Sequence, residues 1–166
     1  VLDLWFEKCI KKQLYGEAYL VRFADDFLIM FQYERDAQRV YEAIIKRMEL
    51  FGLELSKEKT RILPFGRYSG SRETFDFLGF THFNSKTRKG YYTVGHKISC
   101  KKKKQFKSNL KKWVKKNRDK QFDEFMKKLN KKLTGSFNYY SLSGMIREVR
   151  NLWNHAQYVT FKWLNR

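Results

Sequence analysis

The chain has 166 residues, of which 42% are hydrophobic and 17% aromatic, with nine glycines and one proline. That composition excludes intrinsic disorder, collagen-like repeats and low complexity, and the length suits one typical domain or two small ones. Lys and Arg number 36 against 17 Asp and Glu, a net of 36 − 17 = +19 with a pI near 10.0, too large an excess to be incidental.

In chain order, Leu2, Trp5, Phe6, Cys9, Ile10 and Gln13 recur at helical spacing and predict a first helix that stops near Tyr15-Gly16. Ala18 to Phe23 and Phe27 to Phe31 are apolar and β-prone, joined only by Ala24, Asp25 and Asp26. They predict a hairpin with two carboxylates at its tip. Asp36 is placed to cap a helix carrying Ala37, Val40, Tyr41, Ile44, Ile45, Met48 and Phe51, which stops at Gly52. Leu53 to Leu55 and Thr60 to Leu63 are short strand candidates flanking Ser56-Lys57-Glu58-Lys59, and a Gly-rich basic loop runs from Pro64 to Arg72. Phe75 to Phe83 with Tyr91 to Val94 form a second predicted hairpin.

From Ile98 onward the apolar pattern is wholly helical. Phe106, Leu110, Trp113 and Val114 mark one helix, and Phe122, Phe125, Met126, Leu129 and Leu133 a second. Leu142, Met145, Ile146, Val149, Leu152, Trp153, Ala156 and Val159 mark a third. The expected fold class is therefore α+β, with mixed structure over residues 1–96 and a three-helix unit over 97–166. No internal repeat is visible.

The charge is uneven. Residues 1–96 hold 16 basic and 13 acidic side chains, residues 97–132 hold 16 and 3, and residues 133–166 hold 4 and 1. Lys101, Lys102, Lys103, Lys104, Lys107, Lys111, Lys112, Lys115 and Lys116 coat one predicted helix almost without acidic partners. Helices kept merely soluble interleave Glu with Lys, because opposite charges at i,i+4 stabilise and like charges do not. A polyanion, phosphate backbone above all, is the partner this one-sidedness implies. A membrane is not, because the apolar faces pack each other and no apolar run approaches the roughly 20 residues that span a bilayer. The two cysteines, Cys9 and Cys100, have no metal-type spacing and read as reduced thiols of a cytosolic protein. His82, His96 and His155 likewise show no metal spacing. Trp153 reads as bundle core, and Tyr139-Tyr140 as either core or a surface for stacking bases.

The chemistry concentrates in Phe23-Ala24-Asp25-Asp26-Phe27. Adjacent carboxylates repel unless a cation compensates them. Mg2+ prefers such hard oxygens together with water and phosphate, and two metals about 3.5–4 Å apart clamp the attacking and leaving oxygens of a phosphoryl transfer. A bare Asp-Asp pair is more often a plain turn. Rigid apolar strands on both sides favour the metal reading.

Tyr19-Leu20-Val21-Arg22-Phe23-Ala24-Asp25-Asp26-Phe27 resembles the catalytic hairpin of the group II intron reverse transcriptase/maturase family. The likeness continues through Gly52-Leu53-Glu54-Leu55-Ser56-Lys57-Glu58-Lys59-Thr60-Arg61 after the palm helix and Phe75-Asp76-Phe77-Leu78-Gly79-Phe80 at the primer grip. Gly135-Ser136-Phe137-Asn138-Tyr139-Tyr140 resembles part of the thumb, or maturase, region. Four ordered motifs thus span nearly the whole chain. The resemblance implies the C-terminal part of a polymerase palm, built of antiparallel hairpins with packed helices, followed by a three-helix thumb. It implies that Asp25 coordinates two catalytic Mg2+ ions and Asp26 supports them. Lys59 would sit near the incoming deoxynucleoside triphosphate, Phe77, Leu78 and Gly79 would hold the primer end, and Arg22 and the lysines would grip nucleic acid. The partners implied are an RNA template, an RNA–DNA duplex and group II intron RNA. The setting would be a bacterial cytoplasm or an organelle.

Two departures stand out. Phe23 replaces the family's commoner Tyr. The other metal-binding aspartate of a palm has no counterpart, because Asp3 lies in a helix-like context. With a start at Val1 and a stop at Arg166, the chain reads as the back half of a longer enzyme, inactive in polymerisation alone. The alternatives are a non-catalytic intron-RNA-binding maturase fragment, or a reverse transcriptase of retron or CRISPR-associated lineage.

Overall fold

The computed structural model describes residues 2–56 and 58–165. Lys57 of the quoted segment 52–61, Val1 and Arg166 lie outside the described residues. The architecture is α+β, with five helices and two small antiparallel sheets distributed over two units, Val1–Glu73 and Thr74–Arg166.

In the first unit, the N-terminal helix is less regular than its apolar spacing predicts. α1 (Leu2–Trp5) widens into a π-turn over Phe6–Ile10 and then tightens into a 3-10 turn over Lys11–Gln13. The wider turn keeps residues at i,i+4 aligned and swings i,i+3 away. Phe6 and Ile10 are accordingly buried, against Ala18, Val40 and Ile44, while Cys9 is exposed.

Strands β1 (Ala18–Phe23) and β2 (Asp26–Phe31) pair antiparallel, from Ala18 opposite Phe31 to Phe23 opposite Asp26. The join is therefore two residues, Ala24-Asp25, and not the expected three: Asp26 already belongs to β2. Leu20, Phe27, Ile29 and Phe31 pack on the same core as Val40 and Ile44.

Helix α2 (Glu34–Glu49) supplies Ala37, Val40 and Ile44 to that core. Asp36 does not cap it. The capping position is Tyr33, and Asp36 sits in the first turn, 1% exposed. Its Oδ2 accepts the backbone N–H groups of Tyr15 and Gly16, each at 3.0 Å. Amides that point into a chain reversal need an acceptor, and a carboxylate in the first turn of a helix is favoured by the helix dipole. The predicted stop is borne out: Gly52 takes φ 65°, and the Leu53 N–H returns to the Met48 carbonyl at 3.0 Å.

The strand candidates at 53–55 and 60–63 form no strand. A strand needs a neighbour to pair with, and this sheet consists of β1 and β2. The Ser56 carbonyl instead closes a turn by accepting from Lys59 and Thr60 at 3.0 and 2.9 Å.

The second unit begins with a three-stranded meander, β3 (Thr74–Phe77), β4 (Phe80–Lys86) and β5 (Tyr92–Ile98). The stretch Phe75 to Phe83, expected as one strand of a hairpin, is itself a hairpin that turns at Leu78-Gly79. Its second strand, β4, pairs with β5 from Phe80 opposite Ile98 to Lys86 opposite Tyr92.

The three predicted helices follow as α3 (Cys100–Asn117), α4 (Phe122–Tyr140) and α5 (Ile146–Leu164). The Ser99 hydroxyl caps α3 by accepting the Lys102 N–H. Leu110, Val114, Phe125, Leu129, Leu133, Ala156 and Val159 form the bundle core. Phe122 and Ile146, at the first positions of α4 and α5, are exposed despite their apolar spacing. Phe80 and Ile98 of the sheet pack with Tyr140, Met145 and Leu152. Compactness thus divides the chain at Glu73/Thr74, whereas motif content placed the functional boundary at 96/97. Among the described residues no helix is long and apolar enough to cross a membrane.

The buried carboxylate makes one clear prediction. Asp36→Ala strands the Tyr15 and Gly16 amides and lowers the stability of the first unit by about 2 kcal/mol, read by urea unfolding.

Candidate functional site

The carboxylate hairpin is set by its two-residue turn. Ala24 takes φ 54°, the left-handed value expected at the first turn position of a tight hairpin but costly for a residue with a Cβ. Asp25 completes the turn and Asp26 opens β2, and both are exposed. Among the described residues neither carboxylate takes a hydrogen bond or an ion pair. Two hard, exposed, internally uncompensated carboxylates fit part of a Mg2+ donor set. No group of three or more His, Cys, Asp and Glu that could hold a metal occurs among the described residues.

Arg22 lies on β1 just before this turn. Its Nε and Nη2 donate to the two carboxylate oxygens of Asp3 at 2.8 and 2.6 Å, and its Nη1 donates to the Ala24 carbonyl at 2.8 Å. The hydrogen bond from Arg22 holds the Asp3 carboxyl below the usual carboxylate range. Asp3, the upstream acid singled out in the sequence, is therefore committed to Arg22. Lys59 is exposed on the Ser56–Thr60 turn, and no hydrogen bond or ion pair joins it to Asp25 or Asp26.

The second turn, in the other unit, carries the remaining motif residues. Phe77 pairs with Phe80, and between them Leu78 and Gly79 have φ 50° and 81°. The Tyr139 hydroxyl donates to the Leu78 carbonyl at 2.7 Å, and the Ser99 N–H donates to the Gly79 carbonyl at 3.0 Å. A Cβ at Gly79 would meet the Lys102 side chain at 3.4 Å, so the turn lies against the first turn of α3. Phe80 stacks on Tyr139, with ring centroids 5.6 Å apart, and meets Tyr140 edge-on at 5.8 Å. Tyr139, whose role the sequence left open, thus closes this turn. The signal that could have found it is its place in the segment 135–140 that resembles the family.

His82 and His96 face each other across β4 and β5, and the His96 Nε2 bonds the Ser143 carbonyl at 2.9 Å. Burial, and then the neighbouring His96, push the His82 pKa down. This pair is part of the sheet's packing.

The basic face belongs to α3. Lys101, Lys102, Lys104, Lys107, Lys111, Lys112 and Lys115 are exposed. Lys103 is different: it is half-buried and ion-paired with Glu148 of α5. At about 100° per residue it falls on the same side as Phe106, Leu110 and Val114, the side that faces the bundle. Lys115 rides over the Trp163 ring at 5.5 Å. On α4, by contrast, Glu124 pairs with Lys120 and Lys128. Uncompensated charge therefore gathers on α3.

Comparison with protein families matches both units. The model of the reverse transcriptase (RNA-dependent DNA polymerase) family matches residues 2–82, and that of the group II intron maturase-specific domain matches residues 103–166. No curated protein matches the chain.

Within the second of those spans, Tyr139 offers a direct test of the turn. Tyr139→Phe keeps the ring stack on Phe80 but removes the donor to Leu78, and lowers the stability of the second unit by about 1 kcal/mol in thermal or urea unfolding.

Proposed function

The chain belongs to the group II intron reverse transcriptase/maturase family, and on that premise we propose that it forms the back of an RNA-directed DNA polymerase that also binds intron RNA. The observation that most supports a catalytic reading is the Asp25-Asp26 pair, exposed at the end of a packed hairpin without an internal cation. Clustered carboxylates facing a phosphate backbone have no use in a pure RNA chaperone, because they repel it.

In this reading residues 1–96 are palm and residues 97–166 are thumb. Asp25 is the metal ligand and Asp26 supports it. Bound Mg2+ would supply charge stabilisation at the transferred phosphoryl group and activation of the primer hydroxyl. The chain's own residues bind and orient. The Phe77-Leu78-Gly79 turn is assigned to the primer end, with Gly79 supplying a positive φ that the turn requires. The exposed lysines of α3 hold phosphates of the template–primer duplex or of intron RNA, as point charges that read no bases. Lys59, on its exposed turn, is assigned to the triphosphate of the incoming nucleotide. A reducing, cytoplasmic setting accompanies this reading, since Cys9 and Cys100 are both exposed and unbridged.

The second reading is a non-catalytic maturase that binds intron RNA through the same lysines. It is favoured by the lack, among the described residues, of a third acid beside the pair.

One substitution separates the two. In the intact protein, Asp25→Asn lowers primer extension by roughly three orders of magnitude, as loss of several kcal/mol of charge stabilisation requires, and leaves RNA affinity unchanged. Near-normal extension by that variant overturns the metal-ligand assignment. For the basic face, replacing Lys101, Lys104, Lys111 and Lys112 by Ala reduces the slope of log K against log salt by about 0.7–0.9 per lost phosphate contact. An unaltered slope in filter binding would return this face to a merely solvated role.

A further inference from the structure

The carbonyl of Ala24 and the N–H of Asp25 belong to one planar peptide group. Whatever fixes the direction of that carbonyl also fixes the plane from which Asp25 is launched. The left-handed φ of Ala24, 54°, is a conformation that an alanine abandons unless something holds it. The Arg22 Nη1 holds it, at 2.8 Å from the Ala24 oxygen. The guanidinium is in turn fixed by two bonds to Asp3, at 2.8 and 2.6 Å. Three links therefore run from α1 through Arg22 to the peptide that precedes Asp25.

From this chain of contacts we propose that Arg22 is a positioning residue, which sets the turn that presents Asp25, and not the nucleic-acid contact that the motif resemblance implied. The inference rests on the function proposed above. The bidentate carboxylate of Asp3 neutralises the guanidinium and takes two of its five N–H donors, and Ala24 takes a third. With its charge met by Asp3, the guanidinium attracts a phosphate less strongly than an unpaired arginine does. Asp3 also offsets a positive charge that would otherwise compete with a divalent cation beside Asp25. Lysine cannot substitute, since one ammonium lacks the planar fork that spans both acceptors.

The test uses the intact protein in four forms: wild type, Arg22→Gln, Ala24→Gly, and the two combined. Glycine adopts a positive φ without the Cβ penalty, so it relieves the turn of its need for Arg22. Arg22→Gln is expected to lower kcat of primer extension about 10- to 100-fold by misplacing Asp25, with KM for the template–primer and its salt dependence unchanged. Adding Ala24→Gly restores most of kcat. A raised KM with a shallower salt slope, or no rescue by glycine, overturns the proposal. If Arg22→Gln does not fold, Asp3→Asn takes its place, with a smaller loss of kcat and the same rescue. Should wild type and Asp25→Asn extend primers alike, the polymerase reading fails. The proposal is then judged on the backbone chemical shifts of Ala24. Arg22→Gln must move them out of the left-handed range, and unmoved shifts refute it.

Discussion

A residue with a Cβ in the left-handed region pays for that conformation and keeps it only where its surroundings hold it. Ala24 and Leu78 are the non-glycine residues with positive φ among the described residues. Each accepts a side-chain hydrogen bond at its carbonyl, from Arg22 and from Tyr139. Each sits in a two-residue hairpin turn, and each turn carries motif residues for which a chemical role is proposed. The donors come from different places, one from the adjacent strand and one from a helix 61 residues further along. Replacing either donor with a smaller group would leave the strands paired but release the turn. Packing thus builds the strands, while polar contacts to the turn carbonyls hold the two positive-φ residues in place.

This distinction explains what could be read from the residues alone. The apolar runs at 18–23 and 27–31 place both strands of the carboxylate hairpin to within one residue, because β-prone apolar runs bounded by turn residues mark strands directly. The turn length is misjudged because Asp26 is assigned by its polar side chain, whereas its backbone, opposite Phe23, decides pairing. Phe77-Leu78-Gly79-Phe80 carries none of the usual Asn or Asp markers of a tight turn, and its clamp is remote in sequence. No local window contains that information.

Asp36 and Lys103 make the same contrast from opposite sides. Asp36 has the local pattern of a helix cap, but its partners, Tyr15 and Gly16, lie a strand pair away in the chain. Its role was out of reach of local rules. Lys103 belongs by helical phase to the bundle side of α3, so its pairing with Glu148 could have been anticipated from spacing. The family resemblance, carried by four short motifs, is matched over residues 2–82 and 103–166.

The lysine coat of α3 has a consequence for the helix that bears it. Lys101 to Lys104 crowd the end where the helix dipole is already positive, and Lys107, Lys111 and Lys115 repeat at i,i+4 along one side. Each like-charged pair at that spacing opposes the helix by about 0.2–0.5 kcal/mol. α3 is therefore folded against its own electrostatic field, held by the Ser99 cap and by the burial of Leu110 and Val114. Any polyphosphate that settles on this face relaxes the field and favours the folded helix. Occupancy of the face and rigidity of the bundle then become two readings of a single equilibrium.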